Sequence, residues 1–452
     1  MPRKFKTADY ATTLKLAISL EEAVPPNHLA RFIVDVIAQL DLSAIYARYG
    51  ERGGEALAPE VLLGVLVYGY ATGVFSSRKM EKATYESLPF RFVAGDLHPD
   101  HDTLAHFRKT FLPELKELFV QVLVLAQAAG VLKLGNLSLD GTKIHADASK
   151  SKAVSYQRLL ELDRQLRAEV EQLFARGEQA EQSDEWAGLI IPDEIALRQE
   201  RLTQLAQAKT ILEARAQARY AAEQAEYQAK MQAREEKARK TKRKPRGKTP
   251  KPPTPGPRAK DQYNFTDPES RIMKNSTDAG FDQHYNAQAA VEQDSFLIVA
   301  NGVSNHPNDQ AEALPTLDAL APELGRPLSA ALDNGFFSAA NIAGIEARGI
   351  EPYIATGREP HHKSWEALVA EQPAPPPADA LPVVKMAYKL RTDVGHAIYR
   401  LRKCTVEPVI GLIKEVLGFR QFSLRGLPAA AGEWCLVCLA FNLKRLHILM
   451  AD

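Results

Sequence analysis

Three carboxylates of the 452-residue chain stand in settings that would hold an acidic side chain still. The first is Asp140, in Leu137-Ser-Leu-Asp-Gly-Thr-Lys-Ile-His-Ala146. Leucines alternate with polar residues there, and Thr142, Ile144 and Ala146 continue the period of two that marks a half-buried strand. Ser138 and Asp140 then point away from the leucine face, and a carboxylate on a core strand is held more rigidly than one on a loop. The second is Asp333, which ends the apolar run Leu328-Ser-Ala-Ala-Leu332 and is followed by Asn-Gly-Phe336. The third is Glu407, in Tyr399-Arg-Leu-Arg-Lys-Cys-Thr-Val-Glu-Pro-Val-Ile-Gly-Leu-Ile-Lys414. Lys414 lies seven residues beyond Glu407, about two turns along one helical face, and Arg402 and Lys403 lie just upstream. A carboxylate flanked by cations suits a site that holds a metal ion and a phosphate backbone together. Each stretch also has a plainer reading, an Asp-Gly turn or a solvated salt-bridge face, so the three settings count only in combination.

The elements that must carry these residues follow from length and composition. At 452 residues, with 45% hydrophobic and 25% charged residues, two or three domains with ordinary cores are expected. The formal net charge of +1 conceals a strongly basic stretch from Lys230 to Lys260 and an acidic one from Glu178 to Glu185. Three cysteines, Cys404, Cys435 and Cys438, are too few for a disulfide framework and point to a reducing compartment. Cys435-Leu-Val-Cys438 has zinc-like spacing, but it lies in an apolar helix-like run without a second ligand pair, so two buried thiols are expected. The N-terminus carries no signal-peptide pattern, and Val61 to Phe75, the longest uncharged run, falls short of a membrane span. No membrane association and a cytoplasmic protein are expected.

Residues 10 to 133 read as all-helical. Pro59 and Glu60 open one helix, Ser77 caps Arg78 to Leu88, and Asp102 caps Thr103 to Phe111, exposing Arg108 and Lys109. Two short basic helices fit either DNA-end binding or ordinary surface cations, while the long Pro89 to His101 connection argues against a helix-turn-helix. After the Asp140 strand, Leu159, Leu162, Leu166, Val170 and Leu173, then Ile195, Leu202, Leu205 and Leu212, keep heptad-like spacing across a break at Gly177 and Pro192. This predicts a helical hairpin running into the basic run Lys237 to Lys248 and a Pro-rich stretch, a tail whose composition predicts a flexible linker. Strand patterns resume at Tyr285 to Val291 and Phe296 to Ser304. A helix over Asp309 to Leu320, the Asp333 strand, a helix over Ala339 to Arg348, a strand over Tyr353 to Thr356 and C-terminal helices follow. The expected fold is α/β: a mixed sheet with flanking helices, an all-α N-terminal domain (1–133), a core made of 134–151 and 262–452, and the hairpin inserted at 152–261.

This element order is that of a ribonuclease-H-like core, and the chain resembles the DDE insertion-sequence transposases, in the branch whose third acid sits in a Tyr…Arg…Glu…Lys signature. The resemblance runs from about residue 10 to the C-terminus. It is carried by Asp140-Gly-Thr-Lys143, Asp267-Pro-Glu-Ser-Arg271, Tyr285-Asn-Ala-Gln288, Asp333-Asn-Gly-Phe336, Glu407 with its flanks, and Asn442-Leu-Lys-Arg445. It implies that Asp140 and Asp333 meet on neighbouring strands and form, with Glu407, a catalytic metal-binding triad. Tyr399, Arg402, Lys403, Lys414 and Lys143 would contact DNA. Four residues separate Arg402 from Glu407, one more than the signature has, so either Arg402 or Lys403 fills the Arg position. Pro408 would kink or restart the helix directly after Glu407.

The resemblance further implies two Mg2+ ions, with Mn2+ able to substitute, serving an in-line phosphoryl displacement. Water would attack first at the element's end, and the freed 3′-hydroxyl would then attack a target strand. The partners would be terminal inverted repeats, target DNA and a second copy of the chain, in a nucleoid-associated complex. The alternative is a DNA-binding protein of transposase descent that no longer cuts.

Overall fold

The computed structural model describes residues 19–50, 56–183, 191–241, 247–275, 280–357 and 374–451. Helices α1 (Leu20–Ala23), α2 (Leu29–Ile37), α3 (Ser43–Tyr46), α4 (Pro59–Ala71), α5 (Ser77–Glu86), α6 (Leu88–Val93), α7 (His101–Thr110) and α8 (Leu112–Ala128) come first. Strand β1 (Asn136–His145) and β2 (Ala153–Ser155) are followed by α9 (Tyr156–Ser183), α10 (Ile191–Thr241), β3 (Gln262–Asn264) and β4 (Arg271–Lys274). The remainder runs β5 (Phe281–Glu292), β6 (Ile298–Ser304), α11 (Ala313–Asp318), β7 (Ser329–Leu332), α12 (Ala339–Ala347), β8 (Glu351–Ile354), α13 (Pro382–Lys389), α14 (Asp393–Gly411) and α15 (Leu427–Leu449). The chain divides into two compact units, one of Met1–Ile144 with Tyr285–Asp452 and one of His145–His284. Among the described residues no helix is long and apolar enough to cross a membrane.

In the first unit the strands lie in the order β6-β5-β1-β7-β8. β1 pairs parallel with β7 and β7 with β8, whereas β5 and β6 form an antiparallel hairpin. This mixed sheet, with the first and fourth of its strands adjacent, is consistent with a ribonuclease-H-like core. Helix α14 packs on β7 and β8, and α15 packs on β6 as well as on α8, α4 and α2. The Asn442 to Arg445 motif acts here as a clamp. Asn442 bonds both the N–H and the carbonyl of Ile298 (2.9 and 2.7 Å), and Arg445 donates to the Ser295 carbonyl (2.8 Å), pinning the β5–β6 hairpin. Cys435 and Cys438 lie inside this packing, where burial pushes the Cys435 thiol up to about 12.

Several local expectations need correction. Ser77 is buried inside α5, which Ser76 precedes, and α7 is capped by Asp100, whose carboxylate accepts from the Thr103 N–H at 2.8 Å, instead of by Asp102. The Pro89 to His101 connection contains α6, which Pro89 helps to start. Arg108 is not a surface cation. It is 6% exposed and donates to the Tyr70 hydroxyl (2.9 Å) and the Phe75 carbonyl (3.1 Å), because residue 108 shares a helical face with Leu104 and Phe111. Helix α11 is shorter than its pattern, leaving Asp309 in the loop after β6.

In the second unit, β2 and β3 pair antiparallel, and α9 and α10 fold back on each other. Leu159, Leu166, Leu205, Ala208, Leu212 and Tyr263 form its apolar cluster, so the heptad-like seam is fully buried at the end nearest the strands. Residues Asp267 to Arg271 form a turn in which the Arg271 guanidinium donates to the carbonyls of Pro268, Glu269 and Ser270. The described part of the basic tail has two pieces, one helical and one that returns along α10. Helix α10 continues to Thr241, since Lys237-Ala-Arg-Lys contains only good helix formers. The stretch after residue 247 folds back along α10, where Arg219 bonds Asp261 (2.8 Å) and the Gly256 carbonyl (3.1 Å), and Arg258 bonds Glu223 (2.8 Å). Charge-assisted bonds thus link this segment to α10. Residues 242–246 of the basic run lie outside the described residues.

Candidate active site

The site starts from strand register. The β1–β7 pairing ends with Leu139 opposite Leu332, so Asp140 and Asp333 follow next to each other on parallel strands about 4.8 Å apart. Asp333 caps a short 3-10 turn, Asn334–Phe336, with its Oδ1 accepting from the Gly335 N–H at 2.8 Å. Glu407 reaches the same end of the sheet from α14. That helix is fixed against β1 by a buried polar cluster two residues before each acid: the Thr405 and Ser138 hydroxyls lie 2.7 Å apart, and Gln293 donates to Ser138 at 3.0 Å.

Arg402 lies between the acids. Its side chain is 6% exposed, with Nη1 3.2 Å from Asp140 Oδ2 and Nη2 3.1 Å from Glu407 Oε1. Burial pulls the Arg402 pKa down, but Asp140, Tyr399, Glu407 and Asp333 together outweigh it and keep the guanidinium charged. Lys403 is exposed, so of the two candidates for the Arg position it is Arg402 that meets Glu407. The Tyr399 ring centre lies 5.9 Å from the Arg402 guanidinium. Pro408 is accommodated within α14, and the helix ends in one π turn, Leu412–Val416. That turn carries Lys414, whose amine is half-buried and donates to the Thr142 hydroxyl (3.1 Å) and the Lys143 carbonyl (3.3 Å), clasping the end of α14 to β1. Burial lowers its pKa.

A fourth carboxylate, Asp309, stands at this end of the sheet and was not singled out by sequence reasoning. Its Oδ1 accepts from Asn286 and from Gln288, each at 2.7 Å. The signal was present, since two amides at a spacing of two on an otherwise apolar strand require a buried acceptor. Gly141 explains itself in the same place, because a Cβ there would come within 2.2 Å of Asp309 Oδ1 and 2.4 Å of Gln288 Nε2.

Carboxylate oxygens are the ligands that a hard divalent cation takes. Among the described residues no three acidic, His or Cys side chains stand close enough to hold a metal ion, and Arg402 is the cation that stands between Asp140 and Glu407. The electrostatics agree in kind. Burial pushes the Asp140 carboxyl up to about 7, with Asp333 and Asp309 adding to the rise and Arg402 and the Gly141 N–H opposing it.

The raised value has a measurable consequence. Between roughly pH 4 and pH 7 the folded chain holds a proton on Asp140 that the unfolded chain has released. This contribution to stability is therefore complete at low pH and is lost as pH rises, with a slope of at most about 1.4 kcal/mol per pH unit. The melting temperature of metal-free wild type should fall more between pH 5 and pH 8 than that of Asp140→Asn, and millimolar Mg2+ should restore it at pH 8 but not at pH 5. Equal pH dependence in both proteins would remove Asp140 as the cause.

Comparison with protein families gives two matches. Residues 18–110 match a family described as Transposase domain (DUF772), and residues 382–447 match one described as Transposase DDE domain. The second segment contains Tyr399, Arg402, Glu407 and Lys414. No curated protein and no solved structure matches the chain.

Proposed function

The chain is a DNA transposase of the DDE insertion-sequence class, and from that premise we propose that Asp140, Asp333 and Glu407 form the centre with which it cuts its element's ends and joins them to target DNA. The observation that carries this reading is the parallel register of β1 and β7, in which Asp140 follows beside Asp333, with Glu407 one guanidinium away. The three acids would hold two Mg2+ ions, or Mn2+ in their place. Such ions would activate an attacking oxygen and stabilise a leaving one.

The remaining roles belong to the chain itself. Arg402 balances the acids' charge in the resting site. Lys403, exposed one residue further on, and Tyr399, Lys143 and Lys414 line the approach of the phosphate backbone. In the first step water displaces the 3′ oxygen from the scissile phosphate, leaving a 3′-hydroxyl. In the second, that hydroxyl displaces a 3′ oxygen of the target strand, so one phosphodiester is made for each one broken. Residues 1–133 would bind the element's end, 134–151 and 262–452 would form the ribonuclease-H-like catalytic core, and the 152–261 hairpin would reach a second copy of the chain or its DNA. Terminal inverted repeats, a target duplex, a homodimer and nucleoid association belong to this reading.

A supercoiled plasmid carrying the element's ends tests it. Nicked product with 3′-hydroxyl ends is expected in Mg2+ or Mn2+ and none in EDTA. The Arg402 bridge across two of the acids favours one other reading, a protein that binds these ends without cutting. Salt-sensitive binding without nicking in either metal would establish that reading instead.

A further inference from the structure

Helix α5 reads Ser77-Arg-Lys-Met-Glu-Lys-Ala-Thr-Tyr-Glu86 and buries only Ser77, Met80 and Thr84. Three contacts on that inner side fix it in place. Met80 fills the notch left by Gly69 of α4, where a Cβ would come within 2.6 Å of the Met80 Cε. Glu81 accepts from the His101 N–H (3.2 Å) and lies 2.7 Å from the His101 Nδ1 at the start of α7. The Thr84 hydroxyl lies 3.2 Å from Nδ1 of His98, whose ring in turn stacks on Tyr85 with centres 3.9 Å apart.

These contacts sort the charges of the helix. Of its two acids, Glu81 is drawn toward α7, whereas Glu86 stays outside, 3.5 Å from Lys82 with both side chains more than half exposed. Such a pair is worth little and leaves Lys82 open to another anion. Arg78 and Lys79 are exposed, and among the described residues neither has an acidic partner. Arg78, Lys82 and Tyr85 follow one another along the outer face, four and three residues apart, and Tyr85 is 57% exposed. Helix α7 offers no such row, since Arg108 is turned into the core. A firmly held face of three cations and a phenol, with one acid drawn aside, complements the phosphate oxygens of the DNA on which a transposase acts. We propose that the outer face of α5 docks on the backbone of duplex DNA at the element's end, with Arg78, Lys79 and Lys82 on phosphates and the Tyr85 hydroxyl donating to one more. Contacts of this kind supply affinity and orientation, and sequence is read elsewhere. The inference rests on the reading in which residues 1–133 bind that end, and it names the surface that does so.

The test is Arg78→Ala/Lys79→Ala/Lys82→Ala in the full chain, with fluorescence anisotropy on a duplex of the element's end and on a shuffled duplex of the same composition. Alanine is the best helix former and the Lys82–Glu86 pair is exposed, so the melting temperature should stay at the wild-type value. Support is an affinity about 100-fold lower on both duplexes at about 0.15 M salt, with the slope of log affinity against log salt shallower by about 2 to 3, because each phosphate contact contributes about 0.9 to it. Lys116→Ala/Lys133→Ala, which neutralises two exposed lysines outside α5, should bind within about threefold of wild type. Glu86→Gln gives a change that misfolding cannot imitate, since removing the acid beside Lys82 should tighten binding by about three- to tenfold. Affinity of the triple variant within about threefold of wild type, a comparable loss in the Lys116 and Lys133 variant, or no gain in Glu86→Gln would overturn the inference. If wild type nonetheless prefers the element's end to the shuffled duplex, end binding by the chain stands without α5. Wild type that binds both duplexes alike would remove the end-binding reading and this inference with it.

Discussion

An Asp333→Asn protein is expected to bind end DNA as wild type does and to nick it slower by about a thousandfold or more, the scale on which removal of a directly reacting group is felt. The substitution is clean because the cap survives. An Asn side chain still accepts from the Gly335 N–H that Asp333 now holds at 2.8 Å, so the turn Asn334–Phe336 keeps its geometry. Glu407→Gln retains an oxygen for Arg402, and Asp140→Asn retains one for the Gly141 N–H, now bonded at 2.9 Å. All three variants should therefore melt within a few degrees of wild type, which separates lost chemistry from lost structure. Plasmid nicking and gel-shift titration on the same preparations measure the two quantities. Nicking by any of the three within about tenfold of wild type would remove that residue from the centre.

How much of this was legible depends on whether the deciding interaction is local. The juxtaposition of Asp140 and Asp333 was readable because each follows a strand-like stretch, period two before Asp140 and an apolar run before Asp333, and the ribonuclease-H-like resemblance implies that those strands are neighbours, as β1 and β7 are. Spacing leaves the choice between Arg402 and Lys403 open, and helical phase shows only which of the two meets Glu407. Thr405, Val406 and Val409 are buried, so residue 402 faces inward and 403 outward. Arg108 was misjudged for the same reason, its charge outweighing its place on the Leu104 and Phe111 face. Asn286 and Gln288 signalled that a buried acceptor was needed but not which one, since Asp309 lies more than twenty residues downstream of both. The arginine contacts of the tail after α10 were equally out of local reach, since they span 35 to 42 residues of sequence.

Replacing Glu433 should be the most destabilising single change in the first unit. Its side chain is wholly buried on α15 and gathers Tyr70 from α4 (2.8 Å), the N–H groups of Ser423 and Leu424 (2.8 and 3.0 Å) and the Ser423 hydroxyl, with Arg108 of α7 behind Tyr70 at 2.9 Å. Burial, with Glu433 next, holds the Tyr70 hydroxyl well above its ordinary range, so Tyr70 serves as a donor throughout the accessible pH range. The cluster joins the two segments that match transposase families, Tyr70 and Arg108 from residues 18–110 and Ser423 and Glu433 from 382–447. Glu433→Ala removes the acceptor of the Tyr70 and Ser423 hydroxyls and of the Ser423 and Leu424 N–H groups, all at a buried position. A loss of about 3–5 kcal/mol in denaturant unfolding is expected, against about 1–3 kcal/mol for Tyr70→Phe, which deletes one donor and leaves the carboxylate its other partners. A loss below about 1 kcal/mol for Glu433→Ala would mean that the Glu433 network contributes little to holding the helical segment against α15.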